Sequence, residues 1–141
     1  MRFKYLFIIV FSIISVSSFF SQVSTIDLQL AKKYYLDNDY EKAALYYEKI
    51  FKESEYRLKI YENYKSTFIE LNKFKEAEKI SKTLIKENPN KLKFLVDLGV
   101  IYSLVDRSDK KNQVFDKAIE QINKETSYDN AFDLGLAFEK I

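Results

Sequence analysis

The strongest constraint on the fold is a short segment that returns after 34 positions. Residues 40–47, YEKAALYY, are matched by residues 74–81, FKEAEKIS. An aromatic residue opens both segments, and Ala43 is repeated as Ala77. Self-similarity at a fixed period of this length is typical of proteins built by stacking one supersecondary unit. Such a unit cannot bury its apolar face alone, so each unit must pack against its neighbours.

A second set of matched positions precedes the first. It consists of a leucine, a small residue and then a tyrosine, and it occurs two periods apart, at Leu30, Ala31 and Tyr34 and at Leu98, Gly99 and Tyr102. Apolar residues recur at spacings of three and four, which predicts amphipathic helices. Only two Gly and one Pro occur, too few for the turns of a β-rich fold. We therefore predict helices over 24–37, 40–54, 57–71, 74–87, 91–105, 108–124 and 128–140.

The pattern resembles that of the tetratricopeptide-repeat (TPR) family, whose units carry W-x2-L-G-x2-Y, then A-x3-F, then Pro. The matching residues fall in four units: Leu30, Ala31, Tyr34, Ala43 and Tyr47; Tyr64, Phe68, Ala77, Leu84 and Pro89; Leu98, Gly99, Tyr102, Phe115 and Ala118; Leu134, Gly135 and Phe138. No Trp opens a unit, and Ser81 and Lys111 replace the expected aromatic and Ala. The resemblance implies an all-α fold, an α-solenoid of antiparallel helix hairpins with about three TPR units plus a terminal helix.

The resemblance also implies a function, which is the binding of other proteins in a concave groove lined by the first helix of each hairpin. Transferring the groove positions predicts a partner-binding site at Leu28, Lys32, Tyr35, Lys59, Glu62, Asn63, Ser66, Lys93, Val96, Asp97 and Val100. One TPR subgroup grips the C-terminal carboxylate of chaperones with basic and Asn residues, and here only Asn63 and Lys93 match that clamp. Asp97 would repel a carboxylate, so we predict a protein or peptide partner other than a chaperone tail.

The N-terminus has the features of an export signal. Arg2 and Lys4 precede a run of apolar residues and then a Ser-rich stretch, and no further charge occurs before Asp27. This order is typical of a secretory signal peptide, so we predict a signal peptide over 1–21 and a repeat domain over 22–141. Cleavage after Ser18 would put Val16 and Ser18 at the two critical positions, cleavage after Ser21 is a second choice that Phe19 fits poorly, and an uncleaved membrane anchor is the alternative. We expect an exported protein, periplasmic or associated with the cell envelope.

The composition argues against chemistry. The sequence has no Cys and no His, so thiolate ligands, disulfides and the commonest general base are all missing. Acidic residues are interspersed with Lys, as on solvated helix faces. The 23 basic residues exceed the 21 acidic ones only by Arg2 and Lys4, which gives no sign of a nucleic-acid partner. We predict no enzyme, no metal and no cofactor, and a membrane partner only if the N-terminal segment is retained.

Two alternatives concern the end of the chain and the role of the array. The last predicted helix, 128–140, either caps the array or is followed by further units in a longer protein. In the second case the repeats would form the N-terminal sensory or regulatory region of a signalling protein. An enzyme using Asp/Glu or Ser/Lys chemistry in the groove is the third hypothesis, and the composition makes it the weakest.

Overall fold

A computed structural model describes residues 25–124 and Gly135, and the regular structure of these residues is entirely helical. The predicted all-α fold class is therefore confirmed. The helices are α1 (residues 25–36), α2 (Tyr40–Phe51), α3 (Ser54–Glu70), α4 (Phe74–Glu87), α5 (Leu92–Leu104) and α6 (Ser108–Lys124). The seventh predicted helix, 128–140, lies outside the described residues except for Gly135, which is helical.

The boundary between α2 and α3 differs from the prediction, because α2 ends three residues earlier and α3 begins three residues earlier. The Arg57 side chain accounts for the end of α2. Its Nε donates to the Phe51 carbonyl at 2.8 Å, and its guanidinium also reaches the Lys52 carbonyl at 3.3 Å. The last carbonyls of a helix lack intrahelical donors, and here a side chain from the next helix supplies them.

The same turn follows α1, α3 and α5. In each, a non-glycine residue adopts the left-handed conformation, with φ of 60° at Asn38, 55° at Asn72 and 54° at Asp106. The amide of the next residue donates to a carbonyl five positions back at 2.8–2.9 Å, and the left-handed residue donates three positions back. These two bonds define a Schellman motif. Because the three motifs are spaced by 34 residues, the repeat found in the sequence is also a repeat of backbone conformation.

The chain divides into two compact units, Met1–Ile60 and Tyr61–Ile141. In the described part of the first unit, Ala43 of α2 is completely buried, together with Tyr47 and Ile50. Tyr34 of α1 stacks on Tyr46 of α2 with ring centroids 5.6 Å apart. The small side chain of Ala43 and the large rings beside it are those that the repeat predicted for the interior of a hairpin.

The second unit has its core between α4, α5 and α6. One cluster contains Leu92, Leu95, Val96 and Ala118, and Phe115 packs against it. Gly99 of α5 lies directly under the Phe115 ring, since a Cβ atom added there would approach three ring carbons to 2.8 Å or less. Glycine is therefore needed here for close approach rather than for backbone freedom.

The departure at Ser81 has a structural reason. Ser81 is fully buried in α4, where its hydroxyl donates to the Ala77 carbonyl at 2.9 Å and lies 3.0 Å from the Tyr61 hydroxyl. The Tyr61 ring lies next to the small serine. It also makes an edge-to-face contact with the Phe94 ring, with ring centroids 4.9 Å apart. Tyr61 of α3 thus places a ring beside the small serine, and its hydroxyl has a buried partner.

Candidate functional site

The predicted groove residues of the second unit come together where α3 faces α5. Glu62 and Asn63 lie on α3, and Lys93 and Asp97 lie one turn apart on α5. The Lys93 Nζ atom is 2.8 Å from a Glu62 oxygen and 3.5 Å from an Asp97 oxygen. The structure thus brings three of the predicted site residues into one charged cluster.

A fourth charged residue completes this cluster, and it was not among the predicted site residues. Lys65 lies 2.7 Å from Asp97 and 3.1 Å from Glu62, and its ammonium group is 5.0 Å from the centre of the Tyr61 ring. Glu62, Lys65, Lys93 and Asp97 therefore form a closed ring of alternating charges, which we call the α3–α5 charge ring. The spacings of three in Glu62–Lys65 and four in Lys93–Asp97 were visible in the sequence as ordinary helix-surface pairs.

The charge ring has a buried side and an exposed side. The side chains of Lys65 and Asp97 are only 10% and 16% exposed, whereas those of Glu62 and Lys93 are 52% and 42% exposed. Buried ions need a partner in fixed geometry, so the inner pair holds α3 and α5 in register. The outer pair is screened by solvent and contributes little to stability, which leaves it available for exchange with other charged groups.

The pKa of each outer residue is shifted in the direction that favours its charged form. Partial burial opposes the charged form of Glu62, but the hydrogen bond from Lys93 and the charge of Lys65 hold the pKa of Glu62 below its ordinary value. Partial burial likewise disfavours the charged Lys93, yet its hydrogen bond to Glu62 and the charge of Asp97 raise the pKa of Lys93. At neutral pH both groups are therefore ionised, and the surface offers a fixed anion beside a fixed cation.

Asp97 has one unused hydrogen-bonding atom. Its Oδ1 atom is paired with Lys65, but Oδ2 is buried and accepts no hydrogen bond from the described part of the chain. Lys93, at 3.5 Å, is too far from it for a good hydrogen bond. Because this atom is buried, an N–H or O–H donor from a partner would reach it only if Lys93 moved aside.

The remaining predicted positions differ in accessibility. Val96 is 2% exposed and packs with Leu92 and Ala118, so its place is in the core rather than at a contact surface. Asn63, Ser66 and Val100 are partly exposed. In the first unit Leu28 is buried, Tyr35 is partly exposed, and Lys32 and Lys59 are exposed. The role of all these residues in binding a partner stays a prediction.

Metal-binding groups and membrane-spanning helices would both bear on the function of the chain. Among residues 25–124, no group of acidic side chains is arranged to hold a metal ion. Within the same part of the chain, no helix combines the length and the apolar character needed to cross a bilayer. The predicted signal peptide, 1–21, lies outside the described residues, and its prediction stands on the sequence alone.

Comparison with known proteins bears on the fold. No protein-family model matches this sequence, and no curated protein matches it. Among solved structures, 11 chains match. A TPR domain is among them, and together with the repeated hairpins and turns it defines a fold of TPR type, so the resemblance seen in the sequence is confirmed at the level of the fold.

One of these structures is the TPR2B domain of yeast Sti1, solved as a complex with pHsp70. It superimposes with a TM-score of 0.62 at 17% sequence identity, covering 83% of this chain and 94% of that one. At this identity the likeness establishes the fold of the chain, and the occupant of the α3–α5 surface has to be argued from its own residues.

Proposed function

We propose that this protein is an exported scaffold that binds a polypeptide segment on the surface between α3 and α5 and carries out no catalysis. The observation that carries the proposal is the α3–α5 charge ring, which has a rigid inner pair and an exchangeable outer pair. Repeat folds present such surfaces on the first helices of their hairpins. The missing His and Cys and the TPR-type fold both favour binding over chemistry.

The charge ring indicates which kind of segment would bind. A free carboxylate would compete with Glu62 for Lys93 and would meet the negative charge of Asp97 on the same helix. A segment with both an acidic and a basic group can replace the two outer contacts together, and a backbone N–H could then donate to the unused Asp97 oxygen. We therefore expect a mixed-charge internal segment rather than a chain terminus.

This expectation separates the chain from its structural neighbour. The Sti1 domain is described in complex with pHsp70. In the present chain Lys93 is paired with Glu62, and only Asn63 and Lys93 match the clamp that grips a chaperone tail in one TPR subgroup. We infer that this chain does not bind the C-terminal tail of a chaperone.

Affinity purification from the native cells, with a double variant, tests whether the α3–α5 surface binds the partner. We expect Asn63→Ala with Lys93→Ala to lose a partner that the wild-type protein captures, because both residues are partly exposed on the helices that carry the charge ring. The matched control changes the same residue types on the exposed face of α6, Asn112→Ala with Lys117→Ala. If the groove variant and the control capture the same proteins to the same extent, the α3–α5 surface is not the binding site.

Export is tested by the intact mass of the protein from its native cells. If the signal peptide is removed, we expect a mass that is lower than 16.8 kDa by the mass of about twenty residues. The full 16.8 kDa would indicate a retained anchor and contradict cleavage. A mass well above this value would instead favour the alternative in which the repeats belong to a longer regulatory protein.

A further inference from the structure

Basic and acidic residues are nearly balanced over the whole chain, but one face of α4 carries an excess of positive charge. Four lysines follow one another at spacings of four, three and four: Lys75, Lys79, Lys82 and Lys86. These spacings place all four on one face of the helix, and all four are exposed. With Arg107 they line a surface concavity of about 560 Å³. We call this surface the α4 basic face.

Among the described residues, Glu78 is the only carboxylate that lines this concavity, and both of its oxygens are already paired. One oxygen of Glu78 lies 2.6 Å from Lys82 and accepts from the Tyr102 hydroxyl at 3.0 Å, and the other lies 3.1 Å from Arg107. The Glu78 side chain is only 15% exposed. It therefore neutralises part of the charge of Lys82 and Arg107, and it fixes Arg107 against α4.

The other three lysines keep their full charge. Among residues 25–124, no carboxylate lies within ion-pair distance of Lys75, Lys79 or Lys86. Three uncompensated ammonium groups in one concavity create a positive potential that attracts an anionic partner. The face thus differs from the α3–α5 charge ring, in which every cation has an anion.

A second cavity adjoins the first and has a different character. It has a volume of about 340 Å³, shares Lys75, Glu78 and Arg107 with the first, and is otherwise lined in part by Phe74, Ile101 and Val105. Glu76 also lines it, so added negative charge is disfavoured at this end. The two cavities together offer an apolar recess beside a row of cations.

We propose that the α4 basic face binds an acidic polypeptide segment that carries an apolar side chain at one end. The lysines repeat at about 6 and 4.5 Å along the helix axis, which matches the spacing of acidic side chains on one face of a partner helix. The apolar residue would enter the second cavity, and the acidic residues would pair with Lys79 and Lys86, which lack an acidic partner among the described residues.

Other polyanions fit these observations less well. A bilayer surface is flat and is bound by inserting apolar side chains, whereas α4 carries none of the large exposed apolar residues of the described chain. Single-stranded nucleic acid is held by stacking its bases on aromatic rings, and in the described part of the chain Phe74 is the sole aromatic residue that lines either cavity.

The test is a fluorescence-anisotropy titration of the full chain. The probe is a labelled Glu-rich peptide with Glu at helical spacings and a Leu at its end, compared with the same peptide carrying Gln instead of Glu. We expect Lys79→Glu with Lys86→Glu to weaken binding of the acidic peptide by about tenfold or more. Added salt should weaken binding to the wild-type protein, and replacing Leu by Ser should weaken it too.

The matched control is Lys33→Glu with Lys117→Glu, which changes the net charge by the same amount at exposed positions on other helices. We expect less than a twofold effect, and no effect of Asn63→Ala with Lys93→Ala, so failure of this inference is separable from failure of the proposed function. Equal weakening by both charge-reversal pairs would overturn the inference. Preferential binding of anionic vesicles or of single-stranded RNA over the peptide would overturn it as well.

Discussion

The contact between Gly99 and Phe115 makes a prediction whose sign depends on a second residue. A methyl group at position 99 would lie at 2.8 Å or less from three ring carbons of Phe115, whereas ordinary contacts begin at 3.4 Å. The ring must therefore move, and it packs against the cluster of Leu92, Leu95 and Ala118. Overpacking of this kind costs about 1–3 kcal/mol. Alanine in a helix interior regains about 1 kcal/mol relative to glycine, so Gly99→Ala should destabilise the protein by about 1 kcal/mol.

The same substitution should be favourable once the ring is removed. Phe115→Leu eliminates Cε1 and Cζ, two of the three carbons that meet the new methyl group. In that background the one remaining close contact is to a Cδ atom of a flexible side chain, which can be relieved by a change of rotamer, so the gain in helix propensity dominates and Gly99→Ala should stabilise the protein by about 0.5–1 kcal/mol. The two backgrounds should therefore differ by about 2 kcal/mol in a double-mutant cycle.

Urea denaturation of the four proteins, followed by circular dichroism, measures this cycle. The slope with denaturant should stay constant, so that shifts in the midpoint report stability alone. The cost of Phe115→Leu itself cancels in the cycle. If Gly99→Ala is equally destabilising in both backgrounds, the close approach of the ring to α5 is not the reason for glycine at this position.

Three further predictions concern the turns and the charged clusters. Asp106 has the left-handed backbone conformation, which suits glycine and penalises a branched side chain. Asp106→Gly should therefore stabilise the protein by about 0.5–1 kcal/mol, and Asp106→Val should destabilise it by about 1–2 kcal/mol. Equal urea midpoints for the two variants would contradict this prediction. Lys65→Met should lower the free energy of unfolding by about 2 kcal/mol, because it leaves the buried Asp97 with Lys93 alone, at 3.5 Å. The double variant with Asp97→Leu should be more stable than Lys65→Met. A double variant that is less stable than Lys65→Met would refute this reasoning. Partial burial opposes ionisation of Glu78, yet the hydrogen bonds that it accepts from Lys82 and Tyr102 lower its pKa. Its contribution to stability is therefore present above its ordinary pKa and is lost as pH falls. Glu78→Gln should make the urea midpoint less sensitive to pH between about 5 and 3, and an unchanged pH profile would contradict this prediction.

The hairpins could be predicted because the sequence repeats the residues that decide them. Ala43 and Ala77 occupy fully buried positions, as the 34-residue spacing indicated. The third unit has Lys111 in place of the small residue, yet α6 forms, with Val114 and Ala118 buried one and two turns further on. The pattern of the whole unit outweighed one missing residue.

The parts that could not be predicted depend on contacts between distant residues. Arg57 ends α2 from the next helix, and propensity alone does not reveal such a cap. Lys65 reads as a surface lysine, but the side chain is buried against Asp97 and Tyr61. Val96 was placed in the groove by position, and its burial depends on packing against α6. The α4 basic face was hidden because basic and acidic residues are nearly balanced over the chain, 23 against 21, and are interspersed along α4.

The three identical turns have a consequence for how the gene for this chain can change. Deleting residues 39–72 would join Asn38 to Lys73, the residue that follows Asn72, so the junction would keep a left-handed asparagine in front of a second helix. A duplication of the same interval would likewise join Asn72 to Asp39. Recombination between repeats is therefore in register for the backbone as well as for the reading frame. Lineages carrying this gene can gain or lose whole hairpins without having to evolve a new connection.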